Sequence, residues 1–87
     1  MAELLVTFRV MPEDVNIDIK TIKSSLKNIA TARLNKVEEE PIAFGLVAIK
    51  PSFVVEEKEG TTDKLEETIR GIKGVGDVSV IGTTRLL

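Results

Sequence analysis

The segment from Pro41 to Glu57 has the sequence PIAFGLVAIKPSFVVEE, and the rest of the chain is organised around it. Its second half, from Leu46 onward, is apolar and rich in β-branched residues, which favours the most buried strand of a sheet. Pro51 lacks the N–H group that a central strand donates to its neighbour, so the pattern also predicts a bulge or a local break in pairing near Lys50–Ser52.

The first half of this segment is a turn with an unusual apolar tip, from Ile42 to Gly45. Turn tips usually carry small polar residues, because water satisfies their backbone groups. This tip instead presents Phe44, a large aromatic residue, beside Gly45. The pattern alone leaves two interpretations open: the tip is buried beneath the fold, or it is exposed as a contact for a partner.

The composition excludes several classes of site and partner. The 87 residues suffice for one domain, residues 1–87, with a modest core. The absence of Cys and His removes disulfides, thiolate chemistry, zinc sites and histidine acid–base catalysis. A net charge of −2 argues against a nucleic-acid-binding protein, and no apolar run approaches the roughly 18 residues of a membrane span. We therefore expect a cytoplasmic module with no cofactor and no metal.

The segments on either side of this central strand show regular strand and helix periodicities. Strict alternation of apolar and polar residues predicts strands, and apolar stripes spaced by three and four residues predict helices. A highly charged stretch before the apolar turn is typical of an edge strand, which resists pairing with other chains. The predicted strands are Ala2–Met11, Leu34–Glu40, Leu46–Glu57 and Val75–Thr84, and the predicted helices are Asp18–Ala30 and Thr62–Lys73.

These six elements follow one another in the order β-α-β-β-α-β. Two helices of this length can bury their stripes only against one face of a single four-stranded antiparallel sheet. That arrangement is the ferredoxin-like split βαβ plait of the α+β class. Right-handed crossovers place the first and third strands in the middle of the sheet. Because this fold supports many unrelated functions, it decides none of them.

Short signals mark the ends of the helices. Asp18 is the predicted N-cap of the first helix, and Thr62 or Asp63 is the predicted N-cap of the second. Gly74 is expected to adopt the left-handed conformation just after the second helix.

The last strand leads into a C-terminal tail that is apolar at its end. Alternation places Val78 and Val80 inward, and it places Thr83 and Arg85 on the opposite face unless Gly82 breaks the register. One interpretation is that the tail simply completes the last strand and packs its leucines at the end of the sheet.

No arrangement of side chains has the pattern of a catalytic or metal site. The glycines of Gly71–Gly76 follow a helix rather than a strand, so their amides form a cap and a turn and not a phosphate loop. In the acidic run Glu38–Glu40, side chains alternate between faces, which favours a solvated edge over a metal site. No nucleophile is paired with a base. We therefore expect a binding module and not an enzyme.

Several segments also occur together in the order found in one known family. They are Pro-Ile-x-Phe-Gly-Leu at 41–46, Val-Val-Glu-Glu at 54–57, Gly-Thr-Thr-Asp at 60–63, Gly-Val at 74–75, and a final strand that ends in Arg85, Leu86 and Leu87. The set covers essentially the whole chain and resembles the guanine-nucleotide-exchange domain of translation elongation factor 1-beta. The short archaeal form is the closer match.

The resemblance implies a factor that binds elongation factor 1-alpha in its GDP-bound and nucleotide-free states, promotes GDP release and lets GTP enter. Carried over by motif, Phe44 would be the aromatic anchor, and Arg85 would be the cation that reaches toward the Mg²⁺ and phosphate region of the GTPase. Eukaryotic members end in Lys-Leu, whereas the basic residue here is an arginine, third from the end. The implied partner-binding residues are Ile42, Ala43, Phe44, Gly45, Arg85, Leu86 and Leu87. We expect a monomer that contacts neither nucleic acid nor membrane directly.

Two other classes fit parts of the pattern. A small-molecule-binding regulatory domain of the amino-acid-binding ferredoxin-like type shares the plait and often carries a Gly-Val turn like that at 74–75. Such a domain would pair side by side and bind its ligand at the dimer interface. A structural ribosomal or assembly protein would be expected to have a basic surface, and the net charge of −2 speaks against it.

Overall fold

The computed structural model describes residues 2–86. Its elements are β1 (Glu3–Pro12), α1 (Ile19–Lys27), β2 (Arg33–Pro41), β3 (Val47–Glu56), α2 (Thr61–Arg70) and β4 (Val75–Leu86). The order is the predicted β-α-β-β-α-β, although both helices end about three residues earlier than predicted. In this part of the chain, no helix is long and apolar enough to cross a membrane.

The four strands form one antiparallel sheet in the order β2-β3-β1-β4. The predicted placement of β1 and β3 in the centre is therefore confirmed, and the fold is the ferredoxin-like plait. Both helices pack on one face of the sheet, because their buried residues share a single core with alternate residues of the strands. The other face, which we call the open face, carries no helix.

The core is centred on the contact between the two middle strands. The rings of Phe8 and Phe53 are 6.1 Å apart at an angle of 73°, an edge-to-face arrangement worth about 0.5–1.5 kcal/mol beyond burial. Residues of both helices close over this pair. The buried core cluster consists of Val6, Phe8, Val10, Ile22, Leu26, Ile49, Phe53, Val55, Leu65, Ile69 and Val78.

Pro51 is accommodated inside β3 without interrupting that strand. Pairing between β1 and β3 is absent opposite Lys50 and Pro51, while the register is the same on both sides of the gap. On the other side of β3, Asn35 is an extra residue of β2 at the adjacent position. The predicted break is present in the ladder, because the proline cannot donate a ladder hydrogen bond, but it leaves β3 continuous.

The two helices begin in different ways. Asp18 caps α1 as predicted, and its Oδ1 atom accepts a hydrogen bond from the N–H of Lys20 at 2.9 Å. The predicted caps of α2 are wrong, because Gly60 takes that position with φ 80° and, within the described chain, no side-chain cap hydrogen bond is made. Its left-handed backbone turns the chain directly into the helix. Asp63 consequently lies in the first turn, where a negative charge stabilises the helix dipole.

Gly74 has the predicted left-handed conformation, with φ 96°. It does not cap the helix, since α2 ends at Arg70. A methyl group placed on Gly74 would lie only 2.8 Å from Cγ2 of Ile17. A glycine is therefore required both by the backbone angle and by the close approach of the loop between β1 and α1.

A bulge in β4 changes the face on which the tail lies. Consecutive residues of β1 pair first with Gly82 and then with Val80, so Ile81 is an extra residue. Beyond the bulge, Thr83 and Arg85 lie on the helix face together with Val80. Strict alternation would have placed them on the opposite face, but the exception stated for Gly82 is the case found, because the register breaks directly before this residue.

Candidate partner-binding surfaces

The apolar turn between β2 and β3 is a tight loop, which we call the Phe44 loop (residues 42–46). The N–H of Ile42 donates to the carbonyl oxygen of Leu46 at 2.7 Å and closes the loop. Phe44 has φ 63° and ψ 28°, and Gly45 has φ 80°, so two successive residues are left-handed. Glycine adopts this conformation freely, whereas it costs an L-residue about 1–2 kcal/mol.

The side chain of Phe44 projects into solvent. The residue is 94% exposed, while Ala43 and Gly45 beside it are exposed and Ile42 is half-buried. Of the two interpretations that the sequence left open, exposure is the one found. A fully exposed aromatic ring on a backbone held in an unfavourable conformation is a typical signature of a binding anchor.

A second loop lies against the Phe44 loop, and the sequence reasoning did not identify it. This β1–α1 loop spans residues 13–18, and its Val15 is 56% exposed. A Cβ atom added to Gly45 would lie 3.7 Å from Cγ1 of Val15, in ordinary van der Waals contact. The only signal in the sequence is an apolar residue next to two acids, which does not reveal what the loop touches.

The C-terminal tail is the last part of β4, which extends to Leu86. Arg85 pairs with Leu4 of β1, and its Nε atom lies 2.8 Å from Oε2 of Glu57. The Arg85 side chain is 68% exposed, so its guanidinium is accessible. Leu86 is half-buried, and Leu87, which belongs to the predicted set, lies outside the described residues.

The structure brings the predicted residues together in two groups and not in one. The Phe44 loop precedes the first residue of β3, Val47, whereas Arg85 lies level with Val55 near the end of that strand, because both pair with Leu4. At about 3.3 Å per residue, the two levels are about 25 Å apart along the strands. A partner that contacts both groups must therefore span most of the 42 Å length of the domain.

The acidic run of β2 is an ion-paired edge. The carboxylates of Glu38, Glu39 and Glu40 each pair with a different lysine, and for Glu38 and Glu40 the distances are 3.6 and 3.8 Å. Among residues 2–86, no group of three acids is arranged to hold a metal ion. The interpretation as a charged edge strand thus agrees with the geometry, and the run has no features of a metal centre.

A groove with a volume of about 1100 Å³ lies at the end of the sheet away from the Phe44 loop. It is open, and charged residues of both signs line it, among them Lys27, Arg33, Glu56 and Lys58. Small-molecule sites are usually enclosed and mainly apolar. The groove therefore gives little support to a small-molecule function.

Comparison with known proteins matches residues 5–86 to the family described as the EF-1 guanine nucleotide exchange domain. The elongation factor 1-beta of Methanobrevibacter smithii is 38% identical over 89 residues, covering all of both chains. That of Thermoplasma acidophilum is 41% identical over 81 residues, covering 91% of this chain and 92% of the relative.

Among solved structures, the ACT domain from GTP pyrophosphokinase of Chlorobium tepidum has a TM-score of 0.67 at 16% identity, covering 91% of this chain and 99% of that one. A likeness at this identity shows the fold alone. The family match, by contrast, includes both the Phe44 loop and the tail as far as Leu86, and it confirms the resemblance inferred from the ordered segments. The chain therefore belongs to the family of EF-1 guanine nucleotide exchange domains and is a nucleotide exchange factor of the elongation factor 1-beta type.

Proposed function

We propose that this factor promotes GDP release and GTP loading on elongation factor 1-alpha by holding the GTPase at two separated places. Membership of the exchange-domain family supports both the activity and the GTPase. The observation that carries the proposed mechanism is the 94% exposure of Phe44 on a closed, left-handed loop. The second place is the tail around Arg85, at the other end of the sheet.

Exchange of this kind requires binding energy and no chemical step on the factor itself. A partner that binds the nucleotide-free GTPase more tightly than the loaded GTPase lowers the affinity for nucleotide by the same factor. Speeding GDP release by about 10³ requires the barrier to fall by roughly 4 kcal/mol. The factor therefore needs one contact that supplies affinity and one that acts where the nucleotide is held.

Phe44 is suited to supply the affinity. A buried aromatic side chain removes about 150–250 Å² from water, which corresponds to about 4–6 kcal/mol at 25 cal/mol per Å² before ordering costs are subtracted. Almost all of this area is available, because the free loop buries so little of the ring. The hydrogen bond that closes the loop also holds the backbone of Phe44 in place before binding, which lowers the backbone entropy lost in the complex.

Arg85 is suited to act at the nucleotide. Its partner in the free protein is Glu57, in an ion pair whose side chains are 68% and 38% exposed. Exposed pairs of this kind contribute at most about 1 kcal/mol, so the guanidinium can exchange Glu57 for a phosphate at little cost. In the GTPase, the proposed role of Arg85 is to compete with Mg²⁺ for the phosphate charge and thereby weaken GDP binding.

The proposal extends to the setting in which the factor works. We propose that it acts in the cytoplasm as a monomer in which residues 1–87 form one domain, without a cofactor and without direct contact to nucleic acid or membrane. The net charge of −2 supports the absence of a nucleic-acid surface. The small-molecule regulatory alternative is not favoured, since the likeness to the ACT domain concerns the fold alone.

The test is release of fluorescent GDP from elongation factor 1-alpha, measured across a range of exchange-factor concentrations. Phe44→Ala should raise the concentration needed for half-maximal release, because affinity is lost. Arg85→Ala should lower the maximal release rate at saturation, because the contact at the nucleotide is lost. Ile81→Ala is the control, since Ile81 is also exposed, at 50%, but lies in neither group. If wild-type protein does not accelerate release, or if both variants behave like the control, the two-contact mechanism is wrong.

A further inference from the structure

Exposed apolar side chains are concentrated at two positions of the domain. Among residues 2–86, the large apolar residues that are exposed are Val15, Phe44, Val80 and Ile81. Val80 and Ile81 are sequence neighbours in β4, at the bulge. Val15 and Phe44 come from loops that are far apart in the sequence, yet they lie at the same end of the sheet. Exposed apolar residues from two loops at one end of a sheet are typical of an interaction surface.

The β1–α1 loop holds Val15 outward by its own hydrogen bonds. Oδ1 of Asp14 accepts the N–H of Asn16 at 2.7 Å, and the carbonyl oxygen of Asp14 accepts the N–H of Ile17 at 3.3 Å. Ile17 packs against the core, and the N–H of Glu13 donates to the carbonyl oxygen of Gly74 at 2.8 Å. Both ends of the loop are thus fixed to the fold, and Val15 lies at its outer turn.

Val15 and the Phe44 loop form one continuous surface. The side chain of Val15 lies beside Gly45, where an added Cβ atom would be 3.7 Å from its Cγ1 atom. A shallow groove of about 250 Å³ runs between the two loops and is lined by Val15, Ile17, Gly45 and Leu46. A partner group that covers Phe44 therefore comes within reach of Val15 and of this groove.

The rim of this surface is acidic. Asp14 and Asp18 line the groove and are exposed, and within the described chain neither carboxylate forms an ion pair with a lysine or arginine. Asp14 and Asp18 use one oxygen each for a backbone N–H group, and no basic side chain of the described chain neutralises either charge. An apolar surface with such a rim is complementary to an apolar depression bordered by Lys or Arg side chains.

We infer that Val15 is a second apolar contact for elongation factor 1-alpha, beside Phe44, and that the GTPase presents there an apolar depression bordered by basic residues. This inference rests on the proposed function. The contact is smaller than that of Phe44, since Val15 is already partly covered. Its position on a separate loop adds specificity, because a partner must match the relative placement of both loops.

The test compares dissociation constants for nucleotide-free elongation factor 1-alpha by titration calorimetry. Val15→Ala should weaken binding about fivefold, from the exposed apolar area that the complex would bury. Val15→Asp should weaken it more than tenfold, since a charge would be desolvated in the depression. Ile81→Ala and Ile81→Asp are matched controls of similar exposure on β4, and both should bind as the wild type does.

The charged rim is tested separately through the association rate at low and high salt. Asp14→Asn, which keeps the Oδ1 acceptor for the N–H of Asn16, should slow association about two- to threefold at low ionic strength and have little effect at high ionic strength. Glu59→Gln, an exposed acid at the other end of the domain, should leave the rate unchanged. An equal effect of both substitutions would contradict the basic border.

Phe44→Ala separates failure of the inference from failure of the proposed function. If Phe44→Ala weakens binding while Val15→Asp binds as the wild type does, Val15 is not a contact and the proposed function stands. If neither substitution changes the affinity, the anchor itself is wrong. Thermal melts of every variant identify loss of folding. Val15→Thr keeps the branched shape, so it should fold even if Val15→Asp does not, and it should still bind the GTPase more weakly than the wild type does. Wild-type binding by a folded Val15→Thr together with wild-type binding by Val15→Ala would overturn the inference.

Discussion

Replacing Phe44 by alanine or glycine should weaken binding to the GTPase strongly while it changes the free energy of unfolding little. The exposure and the backbone angles of Phe44 give the size of the change in stability. The side chain is 94% exposed, so truncation loses only about 6% of a ~200 Å² aromatic surface. At 25 cal/mol per Å², that loss is about 0.3 kcal/mol of the free energy of unfolding. The backbone then decides the difference between the two variants, because φ is 63°.

Alanine keeps the conformational cost of the left-handed backbone, whereas glycine removes about 1–2 kcal/mol of it. Glycine also increases the entropy of the unfolded chain, which offsets about 0.5–1 kcal/mol of that gain in stability. We therefore expect Phe44→Gly to be about 0.5–1 kcal/mol more stable than Phe44→Ala and close to the wild type. Both should lose about 2–4 kcal/mol of binding free energy to the GTPase, as truncated anchors do.

The assay is urea unfolding followed by circular dichroism, with the free energy of unfolding taken from the midpoint at a common slope. Gly45→Ala is the matched control, because φ is 80° and the added Cβ atom meets only ordinary van der Waals contact. It should lose stability for conformational reasons alone. A loss of more than about 1.5 kcal/mol in Phe44→Ala would refute the reasoning, since a ring this exposed has no such burial to lose. So would a glycine variant less stable than the alanine variant.

Three further predictions follow from contacts elsewhere in the fold. Arg85→Ala should change the free energy of unfolding by at most about 1 kcal/mol, and it should slow GDP release at a saturating concentration of the factor. Arg85→Lys should retain part of the release rate and Arg85→Glu the least, when all variants are compared at one ionic strength. Gly74→Ala should destabilise by about 2–4 kcal/mol in urea unfolding, because φ is 96° and the new methyl group would lie 2.8 Å from Ile17. Arg9→Met should raise the free energy of unfolding by about 1 kcal/mol and the melting temperature by about 4–8 °C, because within residues 2–86 the buried Nε atom of Arg9 has no hydrogen-bond partner.

Each of these has a control and an outcome that would contradict it. If Arg85→Ala released GDP at the wild-type rate at saturation, the role proposed for Arg85 would be wrong and the Phe44 loop would have to act alone. Gly82→Ala is the control for Gly74→Ala, because an added methyl group meets nothing within 4 Å there, and its free energy of unfolding should be nearly that of the wild type. If both glycine variants lost the same stability, the close contact with Ile17 would not explain the effect at Gly74. Arg33→Met, at an exposed position, should leave the melting temperature unchanged. A lower melting temperature for Arg9→Met would mean that the guanidinium of Arg9 stabilises the sheet.

The parts of the fold that could be predicted are those set by local periodicity. Alternation in β1 and the apolar run of β3 identified the central strands, and the handedness of crossovers then fixed the strand order. Asp18 was identified as a cap because its hydrogen bond spans only two residues. In each case the deciding interaction lies within one element or follows from a general rule of chain topology.

The parts that could not be predicted depend on contacts between distant segments. The bulge at Ile81 appears only when β4 is aligned with β1. The position of the gap in pairing near Pro51 could be predicted from the sequence, but not its form. The exposure of Phe44 depends on whether another element covers the loop, which no pattern in the loop itself reveals. The approach of Val15 to Gly45 requires knowing that two loops meet at one end of the sheet. The identity of the anchor residues was suggested by the family resemblance, and the residues alone left it open.

The extra residue in β4 has a consequence for how the tail could change in evolution or in design. Because Ile81 is taken up in the bulge, Gly82 pairs with Thr7 and Arg85 pairs with Leu4, on the helix face. Deleting Ile81 would restore a regular ladder with these same pairs, so the cation would stay on the helix face. Losing the bulge while keeping Ile81 would instead shift the tail by one residue and transfer the cation to the open face. A pair of exchange factors that differ only in whether this strand is bulged would be a starting point for orthogonal translation systems, in which each factor serves only a GTPase shaped to its own side of the sheet.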